Sequence, residues 1–532
     1  MTRALHWPLS LALLLGLAAC GGDEIEGDDE VGDEDELFSS HPAASPAQID
    51  LILVIDDSPS MREHQSTLAA NMRAIGELLD TPEWLALDVR VAVTTTSVPG
   101  PTCSGDFAQG GELLTDSCSS LPEQAFVGPS EFDPGSSDLS EVCTQACALP
   151  EVSRRPSPAE ALDANLATRP WFESKSNSYG GNLEEGTTLA DALPCVGLRG
   201  FGGCEFESPL AALERLLERV NSPGDIAEGF LREQASLAVI FIGDEDDCSH
   251  PEGSATIFDP LGERVFWSDP DADAPTSALC HAASTSCDAQ GCELVDRGLD
   301  GAITTNPDEA ALSAMAGFSS TLATLMAQRP VYVGVLGGFG SDGVLRWPEL
   351  DTPAAEDWTA TFGWPWACES GSRRAQPQAR MAALAELEAL DEHSNFDFGG
   401  FSLCDEDWSV ALGLNLVGPT QLSPWCGPAE PVGECELVAR LADDSLVAIE
   451  PCLRDEQGWV VDPETSSYAL PEGVDFCFVS LDDASGATEV SSDDMDIECV
   501  DAGAAIQFEI SGRVDSLPWP PGTVYEATCE RG

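Results

Sequence analysis

Positive charge is scarce in this sequence. The chain has 23 basic residues against 94 acidic ones, so its formal net charge is −71, and Lys175 is its only lysine. A nucleic-acid binder needs clustered basic residues to neutralise phosphates, and this sequence has no such cluster. We therefore exclude nucleic acid as a partner. The same charge opposes adsorption of the protein surface to anionic lipid headgroups.

Long hydrophobic runs are missing as well. The apolar stretch Leu9–Leu17 is too short to span a bilayer, which needs about 20 residues. It follows Arg3 and ends in two alanines before Cys20, so residues 1–19 have the pattern of a secretory signal peptide. Small residues directly before a cysteine are typical of the bacterial lipobox. We predict lipid attachment at Cys20 and an exported protein of the cell envelope, held by its lipid at the outer membrane or the cell surface.

Known catalytic motifs are also absent from the sequence. It contains no G-x-S-x-G, no H-E-x-x-H, no Gly-rich phosphate loop and no dinucleotide-binding fingerprint. Its six histidines are scattered along the chain. A hydrolase needs a nucleophile or a metal-bound water together with a positioned base, and the sequence supplies neither. We therefore predict a non-enzymatic protein without catalytic residues.

Cysteine usage agrees with export. The sequence has 19 cysteines, and removing Cys20 leaves 18, an even number that predicts disulfides formed in an oxidising compartment. Connectivity does not follow from the sequence, although short spacing favours three local pairs: Cys195–Cys204, Cys426–Cys435 and Cys499–Cys529. A zinc site would need thiolates and histidines at short spacing, and the tightest cluster, around Cys280 and His281, has no matching second half.

Alternating apolar and amphipathic segments predict the fold class. Buried strands are predicted at residues 50–56, 88–96, 237–243 and 331–336. Helices are predicted at residues 61–79, 209–220, 308–328 and 376–391. The alternation predicts an α/β fold with a doubly wound, mostly parallel sheet. We assign this fold to residues 48–425, with disulfide-rich insertions at about 97–187 and 249–307.

Two other parts of the chain differ in composition from this region. Residues 20–47 include ten acidic residues within Asp23–Glu36, a run that repels itself and predicts an extended tether. Residues 426–532 contain short strand-like runs between Pro, Gly and Asp clusters. They predict a small, cysteine-containing β-rich domain.

A hydroxyl-rich loop follows the first predicted strand. Asp56, Ser58 and Ser60 form the pattern D-x-S-x-S at the carboxyl end of that strand, which is where open α/β sheets bind ligands. One carboxylate and two hydroxyls are the hard oxygen ligands that Mg²⁺, Mn²⁺ and Ca²⁺ prefer. The alternative is a structural role, in which a serine caps the following helix and Asp56 interacts with the helix dipole.

The segment Ile52–Met61 resembles the opening of a von Willebrand factor A-type domain. In that family, D-x-S-x-S, a threonine of a second loop and an aspartate of a third form a metal-ion-dependent adhesion site, and a carboxylate of the partner completes the metal's shell. The resemblance covers roughly residues 48–420, apart from the insertions. The cysteine-containing segment Asp244–Ser249 is also similar to segments of lipid-anchored A-type proteins of myxobacteria and their relatives.

The resemblance implies a specific set of metal ligands. They are Asp56, Ser58, Ser60, Glu207 and Asp244. Asp244 ends a buried strand, as the third-loop aspartate of the family does. At the threonine position we favour Glu207, which precedes the helix before that strand, and Thr187 or Thr188 is the alternative.

These patterns together predict the function. We expect a lipid-anchored, exported protein that binds a protein or glycan partner through a divalent cation, and that contacts the membrane through its lipid anchor alone. One alternative is a metal-dependent hydrolase that uses the same rim of the sheet. The other is a structural envelope protein in which the ion only stabilises the fold.

Overall fold

The computed structural model describes most of the chain between residues 36 and 531. The described ranges are 36–42, 48–80, 88–128, 137–158, 166–174, 181–232, 235–288, 291–326, 328–347, 366–390, 396–408, 425–428, 432–441, 445–455, 458–461, 468–471, 473–474, 476–483, 494–495, 499–500, 503–512 and 524–531. Cys20 and the predicted signal peptide lie outside them, so the lipid anchor stays a prediction. Within them, no helix is both long and apolar enough to cross a membrane.

Strands are numbered in chain order over the described ranges. They are β1 Glu36–Pro42, β2 Gln48–Ile55, β3 Asp88–Thr95, β4 Val127–Gly128, β5 Ser137–Asp138, β6 Ser157–Pro158, β7 Leu166–Ala167, β8 Phe172–Ser174, β9 Ser236–Ile242, β10 Thr285–Asp288, β11 Gly291–Leu294, β12 Val331–Gly337, β13 Cys368–Ser370, β14 Arg373–Ala375, β15 Phe396–Ser402, β16 Trp425–Cys426, β17 Val432–Arg440, β18 Leu446–Pro451, β19 Arg454–Asp455, β20 Gly458–Trp459, β21 Phe476–Leu481, β22 Gln507–Gly512 and β23 Val524–Arg531.

The α-helices of the described ranges are numbered in the same way. They are α1 Gln65–Leu79, α2 Ser140–Ala146, α3 Leu189–Gly197, α4 Pro209–Val220, α5 Ala278–Ser284, α6 Met315–Met326 and α7 Ala379–Ala382. The predicted helix 308–328 starts late, because Ala311 donates its backbone N–H to Arg297 instead of joining a helix. The predicted helix 376–391 is the short helix α7 followed by a 3-10 helix, Ala383–Leu390.

A six-stranded sheet organises the first part of the chain. Its strand order is β15-β12-β9-β2-β3-β8, and all neighbours are parallel except the edge pair β3 and β8. The chain leaves β2 toward β3 and leaves β9 toward β12, in opposite directions. The strand order therefore reverses between the adjacent strands β2 and β9. A mixed α/β fold with a mostly parallel sheet is confirmed.

Strand β2 is buried on both faces of this sheet. Leu51 and Leu53 belong to the apolar cluster that includes helices α1 and α3. Ile52 and Val54 point to the opposite face and belong to the cluster that includes α4 and α6. Burial on both faces explains why the strand is a continuous apolar run rather than an alternating one.

Disulfides pair all 18 cysteines of the described ranges, as the even count predicted. The nine bonds are Cys103–Cys204, Cys118–Cys143, Cys147–Cys195, Cys248–Cys280, Cys287–Cys292, Cys368–Cys404, Cys426–Cys499, Cys435–Cys529 and Cys452–Cys477. Cys280, Cys287 and Cys292 of the rejected zinc cluster are therefore bonded in disulfides.

The three predicted local disulfide pairs are wrong. They were Cys195–Cys204, Cys426–Cys435 and Cys499–Cys529, and each of these cysteines bonds elsewhere. For these six cysteines the pairing does not follow distance along the chain. Cys435 and Cys529, for example, are direct cross-strand neighbours on β17 and β23 although 94 residues separate them.

A second, seven-stranded sheet holds the C-terminal strands. Its order is β1-β23-β17-β18-β21-β22-β16. Strand β1 lies within the predicted tether 20–47 and pairs with β23 from Glu36 to Pro42. The expectation of an extended tether is therefore wrong for these seven residues. The rest of the tether lies outside the described ranges up to residue 35 and at 43–47.

Candidate functional site

The predicted loop forms where the strand order of the six-stranded sheet reverses. Asp56 follows β2 directly, and its backbone N–H donates to Ile242 O of β9 at 2.8 Å, which ties the ends of the two strands together. Gly243 is needed beside it, because a Cβ there would lie 2.9 Å from Asp56 Oδ2. In open α/β sheets this reversal point is where ligands bind.

Four of the predicted ligands form a continuous chain of contacts. Ser58 N–H donates to Asp56 Oδ1 at 2.8 Å. The Ser58 and Ser60 hydroxyls lie 2.7 Å apart, and Ser60 Oγ donates to Asp244 Oδ1 at 2.8 Å. The two serines precede or begin the 3-10 helix Pro59–His64, but Ser58 makes no side-chain cap there. The helix-cap alternative therefore does not account for the serine hydroxyls.

Burial sets the electrostatics of this cluster. Asp56, Ser58, Ser60 and Asp244 are each 1% exposed. Burial raises the pKa of Asp56 to about 6, while hydrogen bonds from Ser58 and from the Thr96 hydroxyl oppose the rise. Asp56 Oδ2 receives no hydrogen bond from any described residue. A buried carboxylate oxygen left in this state is unfavourable, and a cation would offset its charge.

The structure separates the two candidates for the threonine position. Glu207 is 2% exposed, and with Asp56 and Thr96 it lines a cavity of about 10 Å³ at the ends of β2 and β9. That volume is close to the minimum for a single water molecule. Thr188 instead caps the N-terminus of α3 with Asp191, and Thr187 lies beside it in that turn. Of these residues, Glu207 is the one at the cluster.

Neighbouring segments cover the cluster. His64 Nε2–H donates to Arg374 O at 2.9 Å, and the same nitrogen lies 3.9 Å from Asp244 Oδ2. Burial lowers the pKa of His64 to about 4, so its ring is neutral near pH 7. Gln376 N–H donates to Asp244 O at 2.8 Å. The segment around β13 and β14 thus closes the side of the cluster that Asp244 occupies.

Sequence reasoning missed Thr96 and His64. Thr96 follows β3, and its hydroxyl lies 3.5 Å from Asp56 Oδ1. Its position after a buried strand next to β2 was a usable indication, because parallel strands end at one edge of the sheet. The sequence contains no such indication for His64, because its partner Arg374 lies 310 positions away in the sequence.

Asp246 and Asp247, in the loop that follows β9, have structural roles. Asp247 accepts the N–H of Leu210 at the start of α4 and pairs with Arg380 at 3.0 Å. Asp246 accepts the backbone N–H of Arg380 in α7. Both side chains are buried, with 2% exposure or less.

The donor set fits a hard divalent cation by chemistry. It offers carboxylate oxygens from Asp56 and Asp244 and hydroxyl oxygens from Ser58, Ser60 and Thr96, which are the ligand types of Mg²⁺ and Ca²⁺. In the part of the chain that the structure describes, no three His, Cys, Asp or Glu side chains are grouped as metal ligands. A cation here would therefore depend on the serine and threonine hydroxyls.

The comparisons with known proteins give weak matches to pilus adhesins. The sequence matches no protein-family model and no curated protein. The adhesin SpaC from Lactobacillus rhamnosus GG is 7% identical with a TM-score of 0.28, and the match covers 94% of this chain and 44% of SpaC. The tip pilin GBS104 from Group B Streptococcus agalactiae is 10% identical, with a TM-score of 0.24 and coverage of 95% and 83%. RrgA from Streptococcus pneumoniae is 8% identical, with a TM-score of 0.21 and coverage of 93% and 58%.

The chain spans less than half the length of SpaC. Similarity at these TM-scores defines neither the fold nor the function of this chain. The site has to be interpreted from its own residues.

Proposed function

We propose that this protein is a non-enzymatic, surface-exposed adhesion protein that binds a protein or glycan partner through a divalent cation. The cation would be held by Asp56, Ser58, Ser60 and Asp244, with the Thr96 hydroxyl and the Glu207 carboxylate near them, in a fold of the von Willebrand factor A type. Cys20 would carry the lipid that anchors it to the cell envelope. The nine disulfides support export, since such bonds persist in oxidising compartments.

One observation carries the proposal. Ser60 Oγ, from the loop after β2, lies 2.8 Å from Asp244 Oδ1, in the loop after β9, at the point where the strand order reverses. The two residues are 184 positions apart in sequence, so their contact is a product of the fold. It joins the two motifs that the family resemblance pairs.

The residues have separate tasks in this proposal. Asp56 and Asp244 supply negative charge, and Ser58 and Ser60 supply neutral oxygens that keep the site from repelling an acidic partner. When bound, the cation supplies a Lewis-acidic position for a carboxylate oxygen of the partner. The segment that contains Arg374 and Gln376 covers Asp244, so the partner has to displace it to reach the ion.

The burial of the cluster favours a second candidate function. All four ligands that contact one another are 1% exposed, as expected for a closed site in which the ion only stabilises the fold. An open site and a closed site differ in one measurable property. Only an ion with an open coordination position exchanges a bound water with the solvent.

The test is calorimetric titration of the full chain, folded under oxidising conditions, with Mg²⁺, Mn²⁺ and Ca²⁺ at near-physiological salt. We expect one saturable site. Asp56→Asn should weaken it at least about tenfold, because a charge-assisted interaction is lost. Ser60→Ala should weaken it as well. Glu185→Gln, which removes a carboxylate at an exposed position, is the matched control and should bind like the wild type.

Water-proton relaxation with bound Mn²⁺ then separates the two candidate functions. Relaxation enhancement at the saturated site supports the open, adhesive site, and added acetate should reduce it by occupying the open position. Saturable binding without enhancement supports the closed, stabilising ion instead. Equal ion binding by the wild type and Asp56→Asn contradicts both.

A further inference from the structure

A cavity of about 580 Å³ is lined by Asp57, in the loop after β2, and by the segment 105–122. Asp57 is the residue directly after Asp56 in the sequence. Small-molecule sites typically occupy about 300–1,000 Å³, so the cavity is large enough for an organic group. The proposed metal ligands do not line it.

The walls of the cavity are tied to the sheet. One wall is the segment 105–122, which follows Cys103 of the disulfide Cys103–Cys204 and contains Cys118 of the disulfide Cys118–Cys143. Its backbone is bonded to β3 and the loop after it: Gly110 N–H donates to Ser97 O at 2.8 Å and Leu114 N–H to Val93 O at 2.8 Å. A wall fixed in this way is formed before any ligand binds, which reduces the entropy lost on binding.

Asp57 supplies a buried carboxylate, one oxygen of which already accepts a hydrogen bond. The residue is 2% exposed, and Ser97 Oγ donates to its Oδ1 at 2.6 Å. Its Oδ2 receives no hydrogen bond from another described residue.

The charge of the lining is mainly negative. Asp57, Asp106, Glu112 and Asp116 line the cavity, against one guanidinium, that of Arg199. Arg199 is held against the wall, because it donates to Asp116 O at 3.1 Å and to Gln109 Oε1 at 3.2 Å.

Nearby arginines offset part of this charge. Arg219 lies 3.7 Å from Glu112, and Arg154 interacts electrostatically with Asp116. Arg199 also interacts electrostatically with Asp57 and Asp116. Asp106 is exposed, and Phe107, the next residue in the sequence, also lines the cavity. The lining as a whole has four carboxylates, one guanidinium and an aromatic ring, a combination that favours an ammonium or guanidinium group.

We propose that this cavity binds an organic cation, an alkylammonium or guanidinium group, with Asp57 as the anchor at its floor and Asp106 at its rim. The group is either a lysine or arginine side chain of a protein partner or a free polyamine. The site does not require the cation of the proposed adhesion site, although both lie on the loop after β2.

The test titrates the full chain with three small probes in calorimetry: Nα-acetyl-lysine amide, Nα-acetyl-arginine amide and spermidine. Nα-acetyl-norleucine amide, which has a similar shape without charge, is the probe control. We expect one saturable site for a cationic probe, weakened about tenfold by Asp57→Asn and less by Asp106→Asn. The matched control Asp273→Asn removes an exposed carboxylate far along the chain and should leave the affinity unchanged.

The variants also separate this proposal from the proposed function. Asp57→Asn should retain divalent-ion binding, and Ser60→Ala should retain binding of the organic cation. Tighter binding of an amino-acid amide than of spermidine identifies a protein side chain, and the reverse identifies a polyamine. Equal binding of the norleucine probe, equal weakening by Asp273→Asn, or no saturable binding overturns the proposal. Asp106 is exposed and its variant should fold, so its result stands even if Asp57→Asn is unstable.

Discussion

His281 is buried as a neutral ring in a chain of hydrogen bonds. It is 4% exposed, and its Nε2 lies 2.9 Å from Gln376 Oε1. Because that amide oxygen only accepts, the imidazole nitrogen carries the proton. Gln376 Nε2 in turn donates to Glu245 Oε1 at 2.9 Å. These two hydrogen bonds connect His281 of helix α5 to the carboxylate of Glu245, the residue that follows Asp244.

Stability should therefore depend on pH through His281. Burial lowers its pKa from 6.5 to about 4, so the unfolded chain binds more protons between these values. Stability then falls as the pH decreases from about 6.5 to about 4, by at most about 1.4 kcal/mol per pH unit from this residue. His281→Gln should remove that part of the slope. Chemical denaturation of both proteins at pH 4.5, 5.5 and 7.5 measures the difference.

The control for this prediction is His250→Gln. His250 is only partly buried and its pKa is lowered less, so its variant should change the slope less. A His281→Gln variant with the same slope as the wild type would show that the buried ring does not titrate between these pH values.

At the residue scale, the sequence predicted the residues whose positions the sheet itself determines. Asp56 and Asp244 each follow a buried strand, and adjacent parallel strands end at one edge, so their proximity follows from the strand pattern. Thr96 and His64 were missed for different reasons. Thr96 required recognition that β3 is the neighbour of β2, and His64 depends on packing against a distant segment.

Helices α1 and α3 pack closely together at Gly76. A Cβ there would lie 2.4 Å from the backbone N and Cα of Ala190, so no side chain fits. Asp80, which follows α1, accepts the Ala190 N–H at 2.9 Å and so satisfies the start of α3. The disulfide Cys147–Cys195 fixes the same helix from the insertion. One glycine thus sets the spacing of two helices on the face that covers β2.

Gly76→Ala should destabilise the protein, whereas Gly317→Ala should not. The methyl group added by Gly76→Ala forces α1 and α3 apart, and overpacking of this kind lowers the free energy of unfolding by about 1–3 kcal/mol. Gly317 lies in α6 with nothing within 4 Å of the added Cβ, so alanine should stabilise by up to about 1 kcal/mol through helix propensity. Thermal unfolding of both variants measures whether each substitution lowers or raises the unfolding temperature. Equal effects would mean that the helices do not pack at Gly76.

At the element scale, the sequence predicted the strands that are buried on both faces. The central strands β2, β9 and β12 are mostly apolar, and β3 carries alternating valines and an alanine. Each of the four lies within two residues of its predicted bounds. The edge strands were missed. β8 has only three residues, and β15 contains two consecutive glycines, so neither shows the apolar run that burial on both faces produces.

The whole molecule is cross-linked in two separate groups. Among the 18 cysteines of the described ranges, six disulfides lie within residues 103–404 and three within residues 426–529, and none joins the groups. The two sheets are therefore stabilised independently by covalent bonds. The pairing of β1 with β23 also places a segment near the start of the chain in the second sheet.

The net charge of −71 should make stability depend on salt. Like charges on a compact surface repel one another, and unfolding relieves that repulsion. Raising NaCl from 0.01 M to 1 M shortens the screening length from about 30 Å to about 3 Å. The repulsion between surface carboxylates then weakens, and it weakens more in the folded state, where the charges lie closer together, than in the unfolded chain. The buried pairs Arg232–Asp50 and Arg380–Asp247 are shielded from the solvent and are weakened little. The unfolding temperature should therefore rise with NaCl.

Specific ion binding has to be separated from this screening. With a chelator present and no divalent ion added, the wild type and Asp56→Asn should gain equally from NaCl, because the charge responsible is spread over the surface. Tetramethylammonium chloride should act like NaCl, since screening depends on ionic strength and not on the size of the cation. An unfolding temperature that falls with either salt would mean that attractive ion pairs, not the excess of carboxylates, dominate the electrostatics of the folded protein.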